Sequence, residues 1–180
     1  MNPAAKTQVV IRFLQERFAD IDFAPRPLLE GSDKSREQHC VRVPSERLIE
    51  VMTFLRDDPR CAFEQLCDLT CVDYLDFPKA TDRYGVTYSL LSIRKEHRLW
   101  VKCFANDPAP AVPSVVGLWK GANWLEREVW DLFGVKFTGH PDLRRIMTWE
   151  GFKAHPLRKD YPLTGKGERE DFQKIFRDSA

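Results

Sequence analysis

The chain has 180 residues, 43% of them hydrophobic and 31% charged, with 28 Lys and Arg against 27 Asp and Glu for a formal net charge of +1. That length holds one domain with a core, or a domain and a substantial tail, and the composition excludes both a disordered chain and one with the ~18 apolar residues a spanning helix needs. Near-neutral charge leaves no global field to draw the chain onto nucleic acid or a lipid surface, so any membrane association is expected to come through a partner.

The first residues lack the apolar core of a secretion signal, and the five cysteines, Cys40, Cys61, Cys67, Cys71 and Cys103, are odd in number and scattered. Both features predict a cytosolic, reducing setting. From about Ala4 to Ala19, Val10, Phe13, Leu14 and Phe18 recur near helical spacing among charged residues, predicting an amphipathic helix. After a loop with Pro25, Pro27 and Gly31, Cys40 to Val43 alternates as a strand does. Pro44-Ser45-Glu46 opens a second helix with Leu48, Ile49, Val51, Met52 and Leu55 as its buried stripe, and Asp57-Asp58-Pro59 stops it.

The period then changes. Leu69–Leu75, Tyr84–Ile93 and Leu99–Phe104 are rich in β-branched and aromatic residues, and the polar stretch 94–98 joins the last two as a hairpin. Strands and helices without regular βαβ alternation predict an α+β fold, a mostly antiparallel mixed sheet with helices on one face, plus an extended C-terminal tail. Trp124–Phe133 reads as a third helix, with Gly134 at the left-handed cap position. On its helical wheel Leu125, Val129, Leu132 and Phe133 form an apolar arc and Glu126, Arg127 and Asp131 lie outside it, predicting a core face and a charged face.

Residues 137–180 are broken by Gly and Pro, with room for a helix only near 168–177. A structureless tail costs about 1–2 kcal/mol per residue to order and should be mobile alone. Yet it carries Phe137, Trp149, Phe152, Tyr161, Phe172 and Phe176, with Leu143, Ile146, Met147, Leu157 and Leu163. Those side chains need a surface, either the chain's own sheet or a groove on another subunit. Residues 136–160 hold six Lys or Arg against three Asp or Glu, suiting an acidic partner. The division expected is therefore 1–136 as an α+β domain and 137–180 as an extended segment wrapping a partner subunit.

Three ordered blocks, Glu126-Arg127-Glu128-Val129-Trp130-Asp131-Leu132-Phe133-Gly134-Val135, Gly139-His140-Pro141-Asp142-Leu143-Arg144-Arg145-Ile146 and His155-Pro156-Leu157-Arg158-Lys159-Asp160-Tyr161-Pro162-Leu163, closely resemble the C-subunit family of respiratory complex I, the NADH:quinone oxidoreductase. The likeness extends over about residues 45–163, including Val72-Asp73-Tyr74, with Ala154 standing where many relatives have Gly. It implies a subunit of the hydrophilic arm on the cytoplasmic side of the membrane, with no catalytic residue, metal or cofactor of its own. Iron–sulfur clusters, FMN and quinone are then expected in partner subunits. The implied partners are the quinone-site subunit and cluster-bearing subunits, with no nucleic acid and no direct membrane span. The motif residues implied to shape that partner interface are Glu126, Arg127, Glu128, Asp131, His140, Pro141, Arg144, Arg145, His155, Pro156, Arg158, Lys159 and Asp160.

Two rival readings stand beside it. One is the equivalent subunit of a membrane-bound hydrogenase or other donor:quinone complex. The other is a stand-alone Cys/His metal or redox protein. Against the latter, Cys61-x5-Cys67-x3-Cys71 lacks the close C-x2-C spacing of cluster sites. Zinc meets the same objection, although His140 and His155 form a conceivable pair. Glu126 and Glu128 are two apart on a helix and point apart, poor geometry for proton transfer, whereas Arg127 and Asp131 stand at ion-pair spacing. No glycine-rich phosphate cradle marks an NADH site.

Overall fold

The computed structural model describes residues 3–27 and 38–167. Helix α1 spans Pro3–Arg17, close to its predicted bounds, and a two-residue strand β1 (Arg26–Pro27) runs antiparallel to β2 (His39–Arg42). A single 3-10 turn, Ser45–Arg47, leads into α2 (Leu48–Asp57), whose buried residues are Leu48, Val51, Met52 and Leu55. Ile49, expected in that stripe, is 38% exposed instead. Strands β3 (Gln65–Asp73), β4 (Tyr84–Ser92) and β5 (His97–Ala105) follow as a meander. Helix α3 spans Ala122–Phe133.

The sheet order is β1-β2-β5-β4-β3, antiparallel except for the parallel pair β2–β5. This is the expected α+β arrangement. Because side chains alternate across a strand, Leu99, Val101 and Cys103 of β5 point with Val86, Tyr88 and Leu90 of β4 to one face. There they meet Val10 and Leu14 of α1, Leu55 of α2 and Val129 of α3 in one core.

A second, smaller pairing went unpredicted. Ala111–Pro113 (β6) lies parallel to Lys136–Thr138 (β7), bringing the chain just before and just after α3 together. Three-residue strands bounded by proline or glycine show too little alternation to register as strands. The helix expected near 168–177 lies outside the described residues. Among the described residues, no helix is long and apolar enough to cross a membrane.

Candidate functional site

The blocks flanking α3 come together around its C-terminal end. Gly134 caps the helix at φ +76°, its N–H donating to the Trp130 carbonyl. A left-handed residue turns the chain sharply and leaves the last helical carbonyls without intrahelical donors. The returning tail supplies them: His155 Nδ1 donates to the Asp131 carbonyl at 2.9 Å, the Leu157 N–H to the Leu132 carbonyl at 3.0 Å, and Arg158 Nε to the Phe133 carbonyl at 2.6 Å. Burial holds the His155 imidazole below its ordinary pKa, so it is neutral and uses Nδ1–H as its donor. A Cβ on Gly134 would stand 2.5 Å from Arg158 Nη2 and from His155 Cδ2. The glycine is thus required twice, by its φ and by the approach of these two side chains.

Asp131 is the anchor of the second block. Its side chain is fully buried, and Oδ2 accepts the N–H groups of Ile146, Met147 and Thr148 at 2.8–2.9 Å. Oδ1 accepts Thr148 Oγ1–H at 2.5 Å and Arg145 Nη1 at 2.6 Å. Burial alone would raise its pKa, but the Thr148 hydroxyl and the three N–H groups outweigh it and bring the carboxyl down to about 2. Arg145 also donates to the Ala154 carbonyl and lies over the rings of Trp130 and Phe152. Phe152 is buried, edge-on to both Trp149 and Tyr161. Ala154 is not among the described residues with positive φ, so this turn does not need glycine.

The charged face expected on α3 is therefore not solvated. Glu126, Arg127 and Asp131 are all buried, and Arg127 does not pair with Asp131. Its guanidinium donates instead to the carbonyls of Arg144 and Arg145, at 3.1 and 3.4 Å. The expected division of the helix is thereby corrected: Leu125 and Leu132 of the apolar arc are only half-buried, while Arg127 and Asp131 are covered by the later segment and Glu126 by residues 114–115.

Toward the chain preceding the helix, Glu126 accepts Ser114 Oγ–H at 2.6 Å and the Val115 N–H at 2.7 Å. Burial pushes its carboxyl up from 4.5 to about 7, against the pull of those two hydrogen bonds. A carboxyl that holds its proton longer folded than unfolded makes folding most favourable below about pH 4.5, and that contribution is lost as pH rises through 7. The loss amounts to about 3 kcal/mol. Glu126→Gln keeps an acceptor for Val115 and a partner for Ser114 without titrating. Denaturant unfolding at pH 5 and pH 8 should show the wild-type chain losing stability relative to this variant as pH rises.

The third block ends on the sheet. The Lys159 N–H donates to Asp73 Oδ2 at 2.9 Å, and Asp160 pairs with Arg83 at 2.9 Å. Arg83 also forks onto Asp73 and pairs with Asp107. Though burial acts against its charge, these carboxylates raise its pKa further. Of the other predicted residues, His140 Nδ1 accepts the Asp142 N–H, leaving Nε2–H to donate to the Asn123 carbonyl at 3.2 Å. Arg144 pairs with Asp142 in solvent. Glu128 and Pro141 are exposed, and Pro156 is half-buried beside His155. Arg83, Ser114 and Thr148 carry no local sequence signal and were missed.

The rings of the tail divide. Phe137 and Phe152 are buried in this chain, while Met147 is 62%, Leu157 50% and Trp149 40% exposed, and Leu163 is fully exposed. Trp124 of α3, 61% exposed, adds to the outward apolar surface. Phe172 and Phe176 lie outside the described residues. The five cysteines are free; burial pushes Cys61, Cys71 and Cys103 up to about 12, keeping them protonated at neutral pH. Among the described residues no group of three or more His, Cys, Asp or Glu is placed to hold a metal ion.

Residues 41–167 match the sequence model of the family described as respiratory-chain NADH dehydrogenase, 30 Kd subunit. The chain belongs to this family. It is 53% identical over 138 residues to C subunit 1 of the NADH-quinone oxidoreductase of Rhizobium etli, covering 77% of this chain and 67% of that one. It is 43% identical over 169 residues to the mitochondrial NADH dehydrogenase [ubiquinone] iron-sulfur protein 3 of Candida albicans, covering 93% of this chain and 59% of the relative. The chain thus spans about three fifths of that relative's length. A solved trypsin-resistant fragment of Nqo5 superposes with a TM-score of 0.61 at 34% identity, covering 74% of this chain and 98% of the fragment. A chain of an archaeal membrane-bound sulfane sulfur reductase shares the fold, with a TM-score of 0.64 at 20% identity and coverage of 88% and 86%. The family's region takes in α3, the Gly134 cap, the Asp131 anchor and the returning tail.

Proposed function

We propose that this chain serves as the C subunit in the hydrophilic arm of a proton-translocating NADH:quinone oxidoreductase, on the cytoplasmic side of the membrane. It takes no part in the chemistry and holds the quinone-site subunit relative to the cluster-bearing subunits. Electron tunnelling and quinone binding both depend on position, so rigid placement is a function in itself. The observation that carries this reading is the division of labour in residues 139–163. Their polar groups fasten the strap to α3 and the sheet, while Met147, Trp149, Leu157 and Leu163 face outward. Outward apolar side chains fixed on a polar base are pre-organised for a partner, because the ordering entropy is already spent within the chain.

The names of the relatives favour NADH:quinone chemistry over another donor:quinone complex. Protonated, buried thiols favour a structural role over a stand-alone redox one. The cofactors of the reaction, FMN, iron–sulfur clusters and quinone, belong in this reading to the partners.

The test is association with a co-expressed quinone-site subunit. Met147→Ser, Leu157→Ser and Leu163→Ser together remove side chains at least half exposed, so the isolated variant should keep its fold while its affinity for that subunit falls at least about tenfold, the loss of one good apolar anchor. Unchanged association would reject these side chains as the contact.

A further inference from the structure

The sheet has a second face, opposite the helices. There Arg98, Trp100, Lys102 and Phe104 of β5 stand beside Cys40 and Arg42 of β2, half-buried or exposed. Near β2 the face deepens into a groove of about 520 Å³, bordered by the loop that carries residues 74–82. Its walls carry four cations, Arg26, Arg42, Lys79 and Lys102, against one carboxylate, Asp82. Asp82 pairs with Arg42 at 2.9 Å, and among the described residues no carboxylate pairs with Arg26, Lys79 or Lys102.

Aromatic rings stand between the cations. The Arg42 guanidinium lies 4.5 Å over Phe104, and Lys102 donates to the Tyr74 hydroxyl at 3.0 Å with its ammonium 5.5 Å from that ring. Phe77, packed edge-on to Tyr74, is 63% exposed. Lys79 adopts φ +64°, a left-handed conformation that costs a side-chain-bearing residue energy and that glycine would take freely.

We propose that this groove docks an extended acidic segment of a partner protein, with its carboxylates on Lys79, Lys102 and Arg26 and an apolar side chain against Phe77 and Phe104. Charge complementarity identifies the occupant's sign, and the groove's form identifies its shape. Small-molecule pockets enclose most of their ligand, whereas walls carrying exposed Arg26, Phe77 and Lys79 would leave a small anion largely in water. A chain crossing the groove can use cations and rings in succession. The proposal is independent of the subunit reading, since it concerns another face and is tested on this chain alone.

The experiment titrates the isotope-labelled chain with a blocked peptide of four glutamates around one phenylalanine, following backbone amides by NMR. Shifts should concentrate at residues 40–42, 74–82 and 102–104, with saturation near millimolar peptide. The glutamine counterpart should bind at least about tenfold more weakly, and high salt should abolish the shifts. Lys79→Gly should melt no lower than wild type, because it relieves the left-handed strain, while weakening the peptide about threefold. Arg26→Gln with Lys79→Gln should weaken it about tenfold. No localised shifts, equal binding of the glutamine peptide, or full affinity in these variants would overturn the proposal. So would tighter binding of adenosine monophosphate than of the peptide at the same residues, which would make the groove a small-anion site.

Discussion

Asp131→Asn should release the strap from α3, costing about 3 kcal/mol of stability and lowering the melting temperature by roughly 10 °C. The change is nearly isosteric, so its effect isolates charge and acceptor capacity. One Asp131 oxygen receives three backbone N–H groups and the other receives Arg145 and the Thr148 hydroxyl. Asparagine has one acceptor oxygen. Whichever way its amide turns, an NH2 group faces donors, and a buried guanidinium loses its counter-charge. Amide exchange should locate the damage: Ile146, Met147 and Thr148 should lose protection while β4 and β5 keep theirs. Acid should imitate the substitution. With the folded carboxyl at about 2 and the unfolded one near 3.8, its contribution is complete above about pH 4 and is lost as pH falls through 2. That contribution is about 2 kcal/mol. Undiminished protection of residues 146–148 in the variant would remove Asp131 from its place as anchor.

Gly134→Ala should be comparably harmful for a different reason. The left-handed backbone at φ +76° disfavours any Cβ by about 1 kcal/mol. The new methyl would also stand 2.5 Å from Arg158 and His155, the side chains that close the helix end. Displacing both loses two hydrogen bonds to buried carbonyls, bringing the total to about 3 kcal/mol. Gly139→Ala supplies the control. Its φ is +85°, yet nothing stands within 4 Å of the added atom, so only the backbone cost of about 1 kcal/mol applies. Thermal unfolding of the two variants separates conformation from close approach. Equal effects would mean that the third block packs on Gly134 less tightly than described.

The four longer strands of the main sheet and the three helices were legible because their signals are local, whereas the two-residue strand Arg26–Pro27 falls where a loop was expected. Alternation marks β4 and β5, helical spacing marks α1 and α2, and Gly134 marks the end of α3. The parallel β6–β7 pair was not legible, because three-residue strands have no period to read. The motif residues were recognisable as a group, but their chemistry could not be assigned from spacing. Arg127 and Asp131 stand at ion-pair separation on the helix, yet each turns to a different part of the tail. Arg83 meets Asp73, Asp107 and Asp160 from three distant stretches of chain, an arrangement that only the folded sheet creates.

The tail shows the same limit from the other side. Composition required a surface for its aromatic residues without saying which. In the structure Phe137 and Phe152 find that surface within the chain, Trp149 does so in part by packing edge-on to Phe152, and Met147, Leu157 and Leu163 stand outward. The amide groups of residues 146–148 are hydrogen-bonded to Asp131 already, so backbone protection alone does not report on a partner. Side-chain accessibility does.

Oxidative footprinting of the isolated chain and of the assembled complex therefore tests the central claim most directly. Met147 and Trp149 should oxidise readily in the chain alone and become protected severalfold in the assembly, while Met52, fully buried in the core, stays unreactive in both. Equal oxidation of Met147 and Trp149 in the two states would contradict the account.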